Sequence, residues 1–430
     1  MIGGLIKIVK LVHFVKRSPI FSSLRSKNYR LYFSGQSISL IGSWMQSIAM
    51  GWLVYRLTGS KFLLGFIGFS SQIPSFIMSP FAGVIIDRFS RHKIMLWTQM
   101  LFMVQALLFS FLVLFNFIQI WHIVALSFVF GFITAFDAPA RQSMVIDLID
   151  KPENLGNAIA LNSAMFNGAR LFGPAIAGVL IAVVKEGPCF LINAFSYAAV
   201  IWALYKIQIP PKVRKEDQNI NEGLKEGFRY TFGFKPIKIL IILLAVLSLI
   251  GLPFTTLMPA YASEVLKGSS HTYGFLMSAS GAGALIGAIY LASRKTVLGL
   301  GKVIALSSVM FGFSLIGISW SSHLLMSSLF IALAGFFMIT AIASINTLVQ
   351  TLTDEDKRGR VMSFYAMALM GMNPIGNLAA GSLASVIGIS YTLLAGGVVV
   401  ILAGVWFSLI RPSLRKYTLP IYIKKGLVPE

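Results

Sequence analysis

The sequence predicts an all-α membrane protein of twelve transmembrane helices, arranged as two pseudo-symmetric six-helix bundles. Three observations lead to this fold class: the composition, a succession of long apolar segments, and a weak internal repeat. Of the 430 residues, 56% are hydrophobic and 12% are charged, whereas a soluble domain has about 25% charged residues. Most of this chain is therefore expected to lie in lipid rather than in water.

Apolar segments long enough to cross a bilayer follow one another along almost the whole chain. A membrane span needs about 20 mostly apolar residues. In lipid, helices satisfy their own backbone polar groups, and the alternating segments of about ten residues that indicate a membrane barrel are missing here. The predicted spans are 29–56, 62–86, 93–115, 121–146, 155–184, 188–209, 236–262, 272–293, 300–320, 323–350, 359–386 and 389–410.

The basic residues predict the orientation of the chain. Of the 36 Lys and Arg residues, 31 fall in segments on the side of the N-terminus, four lie on the opposite side, and Arg170 lies inside a span. The positive-inside rule then places both termini in the cytoplasm. The net charge of +21 is explained by topology and attraction to anionic lipids, so nucleic acid is not predicted as a partner.

The two halves of the chain resemble each other at a nearly fixed offset. Gly65 matches Gly274 at an offset of 209, and Val145 matches Val349 at 204. Parallel six-helix repeats are typical of transporters whose halves rock about a central site. The predicted domains are a basic amphipathic N-terminal segment 1–27, a bundle 28–209, a cytoplasmic linker 210–235, a second bundle 236–410 and a cytoplasmic tail 411–430.

A charged motif follows the second predicted span. Residues 83–93 read G-V-I-I-D-R-F-S-R-H-K, and this stretch resembles the G-x-x-x-D-R-x-[GS]-R-x-[KR] loop of the major facilitator superfamily. Glycine permits close helix approach, and an acid near several bases can pair with an arginine. We predict a cytoplasmic lock in which Asp87 pairs with Arg141. Its residues are Gly83, Asp87, Arg88, Arg91, Lys93 and Arg141.

Two further segments narrow the resemblance. Residues 136–143 read F-D-A-P-A-R-Q-S, and residues 168–178 read G-A-R-L-F-G-P-A-I-A-G. Together they resemble the bacterial branch that includes enterobactin exporters and macrolide efflux proteins, over nearly the whole chain. The resemblance implies a multi-pass protein of the bacterial inner membrane. Gly173, Pro174 and Gly178 are similar to the helix 5 motif of exporters, which implies outward transport.

Polar residues inside the spans are the candidates for cargo binding or ion coupling. Asp137 and Arg141 lie one helical turn apart and can pair with each other. Arg170 lies halfway along its span, where an unpaired charge is expensive. Two interpretations remain open for Arg170, a contact to an anionic or carbonyl-rich cargo and an ion pair with Asp137. Further candidates, for which interhelical hydrogen bonding is the alternative, are Gln46, Asn162, Asn167, Asn346 and Asn373.

The motifs favour transport over enzyme chemistry. The sequence has no nucleotide-binding loop, nucleophile motif or metal-ligand spacing, so neither a cofactor nor a metal is predicted. We predict a monomeric secondary exporter that moves a siderophore or drug-like amphipathic molecule by alternating access. Its predicted partners are that cargo, membrane lipids, and protons or another ion, with Asp137 and Asp147 as the candidate proton carriers. A lysophospholipid flippase and a non-transporting scaffold or receptor are the alternatives.

Overall fold

The computed structural model describes residues 19–208, 220–294, 296–355 and 357–427. The side chains of 19–21, Pro80, Gly83, Val84, Asp87, Arg88 and 220–226 are outside this description. Most of the predicted N-terminal segment, part of the linker, and two side chains of the predicted lock, those of Asp87 and Arg88, therefore lie outside this description.

The first half consists of six long helices joined by short connections. Helix α1 ends at Gly59, which adopts a left-handed conformation with φ 60° and donates its N–H to the carbonyl of Tyr55. Glycine adopts this conformation without strain. Ser60 then caps α2 by accepting the N–H of Leu63. The six helices are α1 Lys27–Thr58, α2 Lys61–Arg88, α3 Arg91–Leu114, α4 Ile120–Met144, α5 Leu155–Val184 and α6 Gly187–Lys206.

A linker helix, α7 (Ile220–Gly233), leads into six helices of the second half. Two of these six contain π-helical turns, at Leu247–Gly251 and Tyr261–Val265 in α8 and at Met367–Gly371 in α12. Such turns insert a residue into the helix and allow it to bend. The six helices are α8 Lys235–Val265, α9 Ser270–Ala292, α10 Leu300–Trp320, α11 Leu324–Leu352, α12 358–387 and α13 Ile389–Lys424.

The predicted all-α membrane fold is confirmed. Among the described residues, eleven helices are long and apolar enough to cross a membrane. The twelfth, α12, is more polar because it carries Asn373, Asn377 and several glycines and serines. One boundary differs, because α13 continues past the predicted end of its span at 410 to Lys424. Leu414 remains buried against the bundle, so the extension keeps a packed side.

The helix contacts of one half are repeated in the other. In the first half α2 packs on α4, α3 on α6 and α1 on α6; in the second half α9 packs on α11, α10 on α13 and α8 on α13. The bundles contact each other through two extensive pairs, α5 with α9 and α2 with α12. These pairs are equivalent under the same repeat, so the interface has pseudo-twofold symmetry, as parallel repeats predict.

Consecutive helices run antiparallel, so the loops lie on two opposite faces. We call the face that carries the start of α1, the linker helix and the end of α13 the terminus face. The opposite face, with the loops 59–60, 115–119, 185–186, 266–269 and 321–323 and the connection at residue 388, is the distal face.

Candidate transport pathway and gates

The α5–α9 contact is a seam of glycine and backbone atoms. A Cβ atom built at Gly178 would lie 2.9 Å from the Cα of Gly274 and 3.0 Å from the carbonyl oxygen of Ser270. Toward the middle of the membrane, a Cβ at Gly281 would lie 2.6 Å from the carbonyl oxygen of Arg170. Side chains are thus excluded at these positions, and the two backbones approach as small residues permit.

The α2–α12 contact is the second glycine seam. A Cβ built at Gly381 would lie 2.7 Å from the Cα of Gly65 and 2.7 Å from the carbonyl oxygen of Lys61. Asn377 packs against Gly65, and the Nδ2 of Asn373 donates to the Oε1 of Gln72 at 2.9 Å. Because Gly65 and Gly274 are repeat equivalents, the internal repeat of the sequence coincides with the surfaces where the halves meet.

Both seams lie in the distal half of the molecule. On the terminus half of α5, a Cβ at Gly156 or Gly168 would meet no neighbouring atom within 4 Å. The described glycine contacts of α5 with α9 therefore lie between the distal face and the middle of the membrane, and Gly156 and Gly168 add none on the terminus side.

An acid–base cluster joins the bundles at the distal face. Glu264 of α8 accepts a hydrogen bond from the hydroxyl of Tyr55 at 2.5 Å, and its other carboxylate oxygen lies 2.8 Å from the Nζ of Lys61. Tyr55 and Lys61 belong to α1 and α2 of the first bundle, so we call these three residues the distal latch. Nearby, Arg56 pairs with the buried Glu186 at 2.7 Å, but both belong to the first bundle.

Arg170 lies buried at the end of the α5–α9 seam that is nearest the middle of the membrane. Its guanidinium lies over the ring of Trp44 on α1, 5.8 Å from the ring centroid, and its Nε has no hydrogen-bond partner. Within the described part of the chain, no carboxylate lies within 4.0 Å of it. The ion pair with Asp137, one of the two interpretations of Arg170, is therefore not formed in this conformation. A ring face offsets part of the cost of burying a cation.

Gly173 allows Trp44 to take this position. A Cβ at Gly173 would lie 2.5 Å from the Cβ of Trp44 and 3.1 Å from the carbonyl oxygen of Ile41. The three residues of the predicted exporter motif thus divide between two contacts. Gly173 packs on α1, while Pro174 and Gly178 pack on α9 at Gly274.

Asp137 lies inside the first bundle, where each oxygen of its carboxylate has a polar neighbour. Its Oδ1 accepts from Thr98 at 3.0 Å and from Gln99 at 2.7 Å, and its Oδ2 lies 3.6 Å from the Nε of Arg141. At the terminus face, Arg91 pairs with Asp147 at 3.3 Å. Because the side chain of Asp87 is not described, its pairing with Arg141 stays a prediction.

Comparison with known proteins identifies the family. The sequence model of a family described as transmembrane secretion effectors matches residues 18–418. The chain belongs to this family of the major facilitator superfamily. The predicted superfamily membership is thereby confirmed.

The chain is similar to two curated relatives and to one solved structure. The Staphyloferrin A transporter of Staphylococcus aureus is 27% identical, over 90% of this chain and 97% of the relative. Macrolide efflux protein A of Streptococcus pyogenes is 23% identical, over 89% and 95%. A crystal structure of a bacterial homologue of the human lysosomal transporter Spinster has a TM-score of 0.70, with 12% identity and coverage of 91% and 97%. The protein is accordingly a multi-pass membrane transporter.

The other residues predicted as candidates for cargo binding or ion coupling lie in different environments. Gln46 is buried in the first bundle, where it donates to Gln105 at 3.1 Å and accepts from Asn193 at 2.7 Å. This arrangement supports the interhelical hydrogen-bonding alternative for Gln46.

The predicted asparagines differ in whether their side-chain atoms have hydrogen-bond partners. Asn162 accepts from the hydroxyl of Tyr29, Asn167 donates to the carbonyl of Ser163, and Asn346 accepts from Gln350. Asn373 keeps a buried Oδ1 without a partner. Lys93 is exposed at the start of α3. Only Asn373 among these asparagines therefore leaves a buried amide oxygen unpaired.

Reasoning from sequence did not identify Glu264 and Trp44. Glu264 lies beyond the predicted end of its span at 262, so it had the appearance of a loop acid. The sequence does contain a signal, because Glu264 follows a predicted span on the side of the membrane that carries few basic residues, and Lys61 lies on the same side. Trp44 is an aromatic residue in an apolar helix, where lipid contact is the default expectation.

Replacing Glu264 by glutamine should weaken closure of the distal face about two- to fivefold, the range for a partly exposed ion pair. The change keeps the shape of the side chain but removes its attraction to Lys61. A cysteine placed at Ser270, in a Cys189→Ser background, should react with an impermeant maleimide about two- to fivefold faster. The matched control is Glu186→Gln, which breaks a pair inside one bundle and should leave this labelling unchanged. Equal acceleration by both variants would argue against a latch at Glu264.

Proposed function

We propose that this protein exports a small amphipathic molecule with anionic or carbonyl groups, a siderophore or a drug-like compound, across the bacterial inner membrane. Transport proceeds by alternating access between the two bundles and is driven by protons. The observation that carries the proposal is the buried Arg170, which has an unpartnered Nε and lies at the mid-membrane end of the α5–α9 seam between the bundles.

We infer the direction of transport from the orientation of the chain together with the distal position of both seams, which leaves the terminus face as the open end. We place the terminus face in the cytoplasm, because 31 of the 36 basic residues belong to its segments and cytoplasmic loops carry the excess of Lys and Arg. The pathway that opens at this face would then receive cargo from the cytoplasm. Opening of the two glycine seams would release the cargo on the distal side.

The chemistry of the cargo is argued from Arg170 and its surroundings. A guanidinium presents a planar set of donors that suits carboxylates and other oxygen anions. Trp44 and Phe166 form an edge-to-face pair at 6.0 Å beside it, and aromatic faces suit the apolar part of an amphipathic cargo. The names of the relatives, a staphyloferrin A transporter and a macrolide efflux protein, agree with siderophore and drug cargo respectively.

Asp137 is the proposed proton carrier. It is 4% exposed and is held by Thr98, Gln99 and Arg141. Protonation of a carboxylate removes its attraction to a neighbouring arginine, so Arg141 would be released for another partner. An exchange of Arg141 between Asp137 and the predicted partner Asp87 would connect proton binding to the lock at the terminus face.

Transport into inside-out membrane vesicles tests the proposal. Vesicles that contain the full chain should accumulate an iron-free siderophore or a macrolide when their interior is acidic, and a protonophore should abolish the uptake. Vesicles without the protein are the control. Uptake that persists with the protonophore would contradict proton coupling, and the absence of uptake for both cargo classes would contradict export of these molecules.

A further inference from the structure

A basic cavity lies inside the second bundle at the terminus face, separate from the seams between the bundles. Its volume is about 660 Å³, which falls within the usual size of small-molecule pockets. The ends of α8, α10, α11 and α13 surround it. The assigned pathway and gates use none of its lining residues.

The lining of this cavity combines cations with an apolar floor. Lys302, Arg411 and Arg415 are its charged residues, and it contains no carboxylate. In the described ranges none of the three bases has an ion-pair partner. Leu240, Leu348 and Phe407 are buried beneath them. Unpaired cations above an apolar surface favour an anionic amphiphile over a small hydrophilic ion.

The positions of the cations are built into the helix packing. A Cβ at Gly301, in the first turn of α10, would lie 3.2 Å from the Cδ of Arg411. The absence of that side chain lets the stem of Arg411 lie against the start of α10. The N-terminus of a helix carries a partial positive charge, so α10 adds to the potential of the three bases.

The length of α13 places these residues at the membrane surface. Its 36 residues span about 54 Å at 1.5 Å per residue, whereas the hydrocarbon core is about 30 Å thick. Arg411 and Arg415 lie in the extension beyond the predicted span. Next to the cavity, Leu306 of α10 and Leu409 of α13 are exposed on the outer surface, where acyl chains would lie.

We propose that this cavity binds the phosphate head group of an anionic phospholipid from the leaflet at the terminus face. The phosphate contacts Lys302, Arg411 and Arg415, while the acyl chains follow the apolar surface of α10 and α13. The lipid therefore holds the extension of α13 on the second bundle. This role adds to a protein contact already present, in which the Nζ of Lys425 donates to the carbonyl of Thr351 at 2.7 Å.

Native mass spectrometry of the purified full chain with phosphatidylglycerol tests the site. The pocket variant carries Lys302→Gln, Arg411→Gln and Arg415→Gln. The matched control removes three exposed bases outside the cavity, with Lys416→Gln, Lys424→Gln and Arg229→Gln. Each base near a membrane surface contributes about fivefold in affinity, so the pocket variant should bind phosphatidylglycerol about 100-fold more weakly, while the control should retain most of the binding.

Further arms of the same experiment distinguish the source of the phosphate. Inorganic phosphate at millimolar concentration should neither displace the lipid nor raise the melting temperature, and phosphatidylcholine should not bind at this site. Equal loss of binding in the two triple variants, or displacement by inorganic phosphate, would overturn the proposal. The melting temperature of the pocket variant in phosphatidylcholine should match that of the natural chain, which separates lost binding from lost folding. The result does not depend on which cargo is exported.

Discussion

Replacement of Gly178 by valine should reduce transport about 5- to 150-fold while the protein remains folded in the membrane. The new side chain would meet the Cα of Gly274 and the carbonyl oxygen of Ser270 at 2.9 and 3.0 Å. Backbone atoms cannot turn aside as the end of a flexible side chain can. Overpacking of this kind costs about 1–3 kcal/mol, which corresponds to that factor in an equilibrium between two states. The distal face should therefore stay open.

Cysteine labelling measures the conformational part of this prediction. The single cysteine, Cys189, is buried, so a Cys189→Ser chain provides a background without reactive thiols. A cysteine at Ser270 should react with an impermeant maleimide faster in the Gly178→Val variant than in the parent. Gly156→Val is the matched control, because it lies on the same helix and its Cβ would meet no neighbour. Unchanged labelling and transport in Gly178→Val would refute the seam as a gate.

Replacement of Arg170 by alanine should abolish transport, with a loss of about 100-fold or more, without lowering the melting temperature. A charged hydrogen bond contributes about 1.5–3 kcal/mol, and the cargo loses this contact together with the buried charge that attracts it. Thermal stability separates the two interpretations of Arg170. Breaking a buried ion pair costs about 3–5 kcal/mol, whereas removal of an unpaired buried cation relieves a desolvation cost.

Arg170→Lys gives the complementary test. Lysine keeps the charge but lacks the planar fork of donors, so cargo affinity should fall about tenfold, roughly one hydrogen bond, and transport should be partly retained. Arg229→Ala, which removes an exposed arginine of the linker helix, is the control and should transport normally. A marked fall in melting temperature for Arg170→Ala would instead support a structural ion pair.

The sequence was sufficient to predict the helices and the repeat, because both depend on local composition and spacing. Gly65 and Gly274 were recognised as equivalents, but their partners Gly381 and Gly178 could not be assigned to them, since such pairing depends on how distant helices pack. Arg170 is predicted as a candidate site residue because a charge within a span is expensive. Its neighbour Trp44 is far away in the sequence and has no diagnostic spacing to it.

The environments of two other residues cannot be predicted from hydropathy alone. The predicted span 236–262 ends before Glu264, whereas a π-helical turn extends α8 to Val265; such turns follow no simple apolar periodicity. Gln46 could not be separated from cavity-lining residues, because a buried amide network and a polar cavity both require an in-span amide. Only the packing of Gln105 and Asn193 around Gln46 distinguishes them.

The glycine seams have a consequence for how such a protein can acquire new cargo. The seams consist largely of glycines and backbone atoms, whereas the side chains of Arg170 and Trp44 lie beside the α5–α9 seam. Under the proposed function, a substitution of either side chain would change the recognised chemistry without altering the backbone contacts of the seams. Specificity would then be carried by side chains and mechanics by backbone contacts, so that selection could modify the first while the second is left intact.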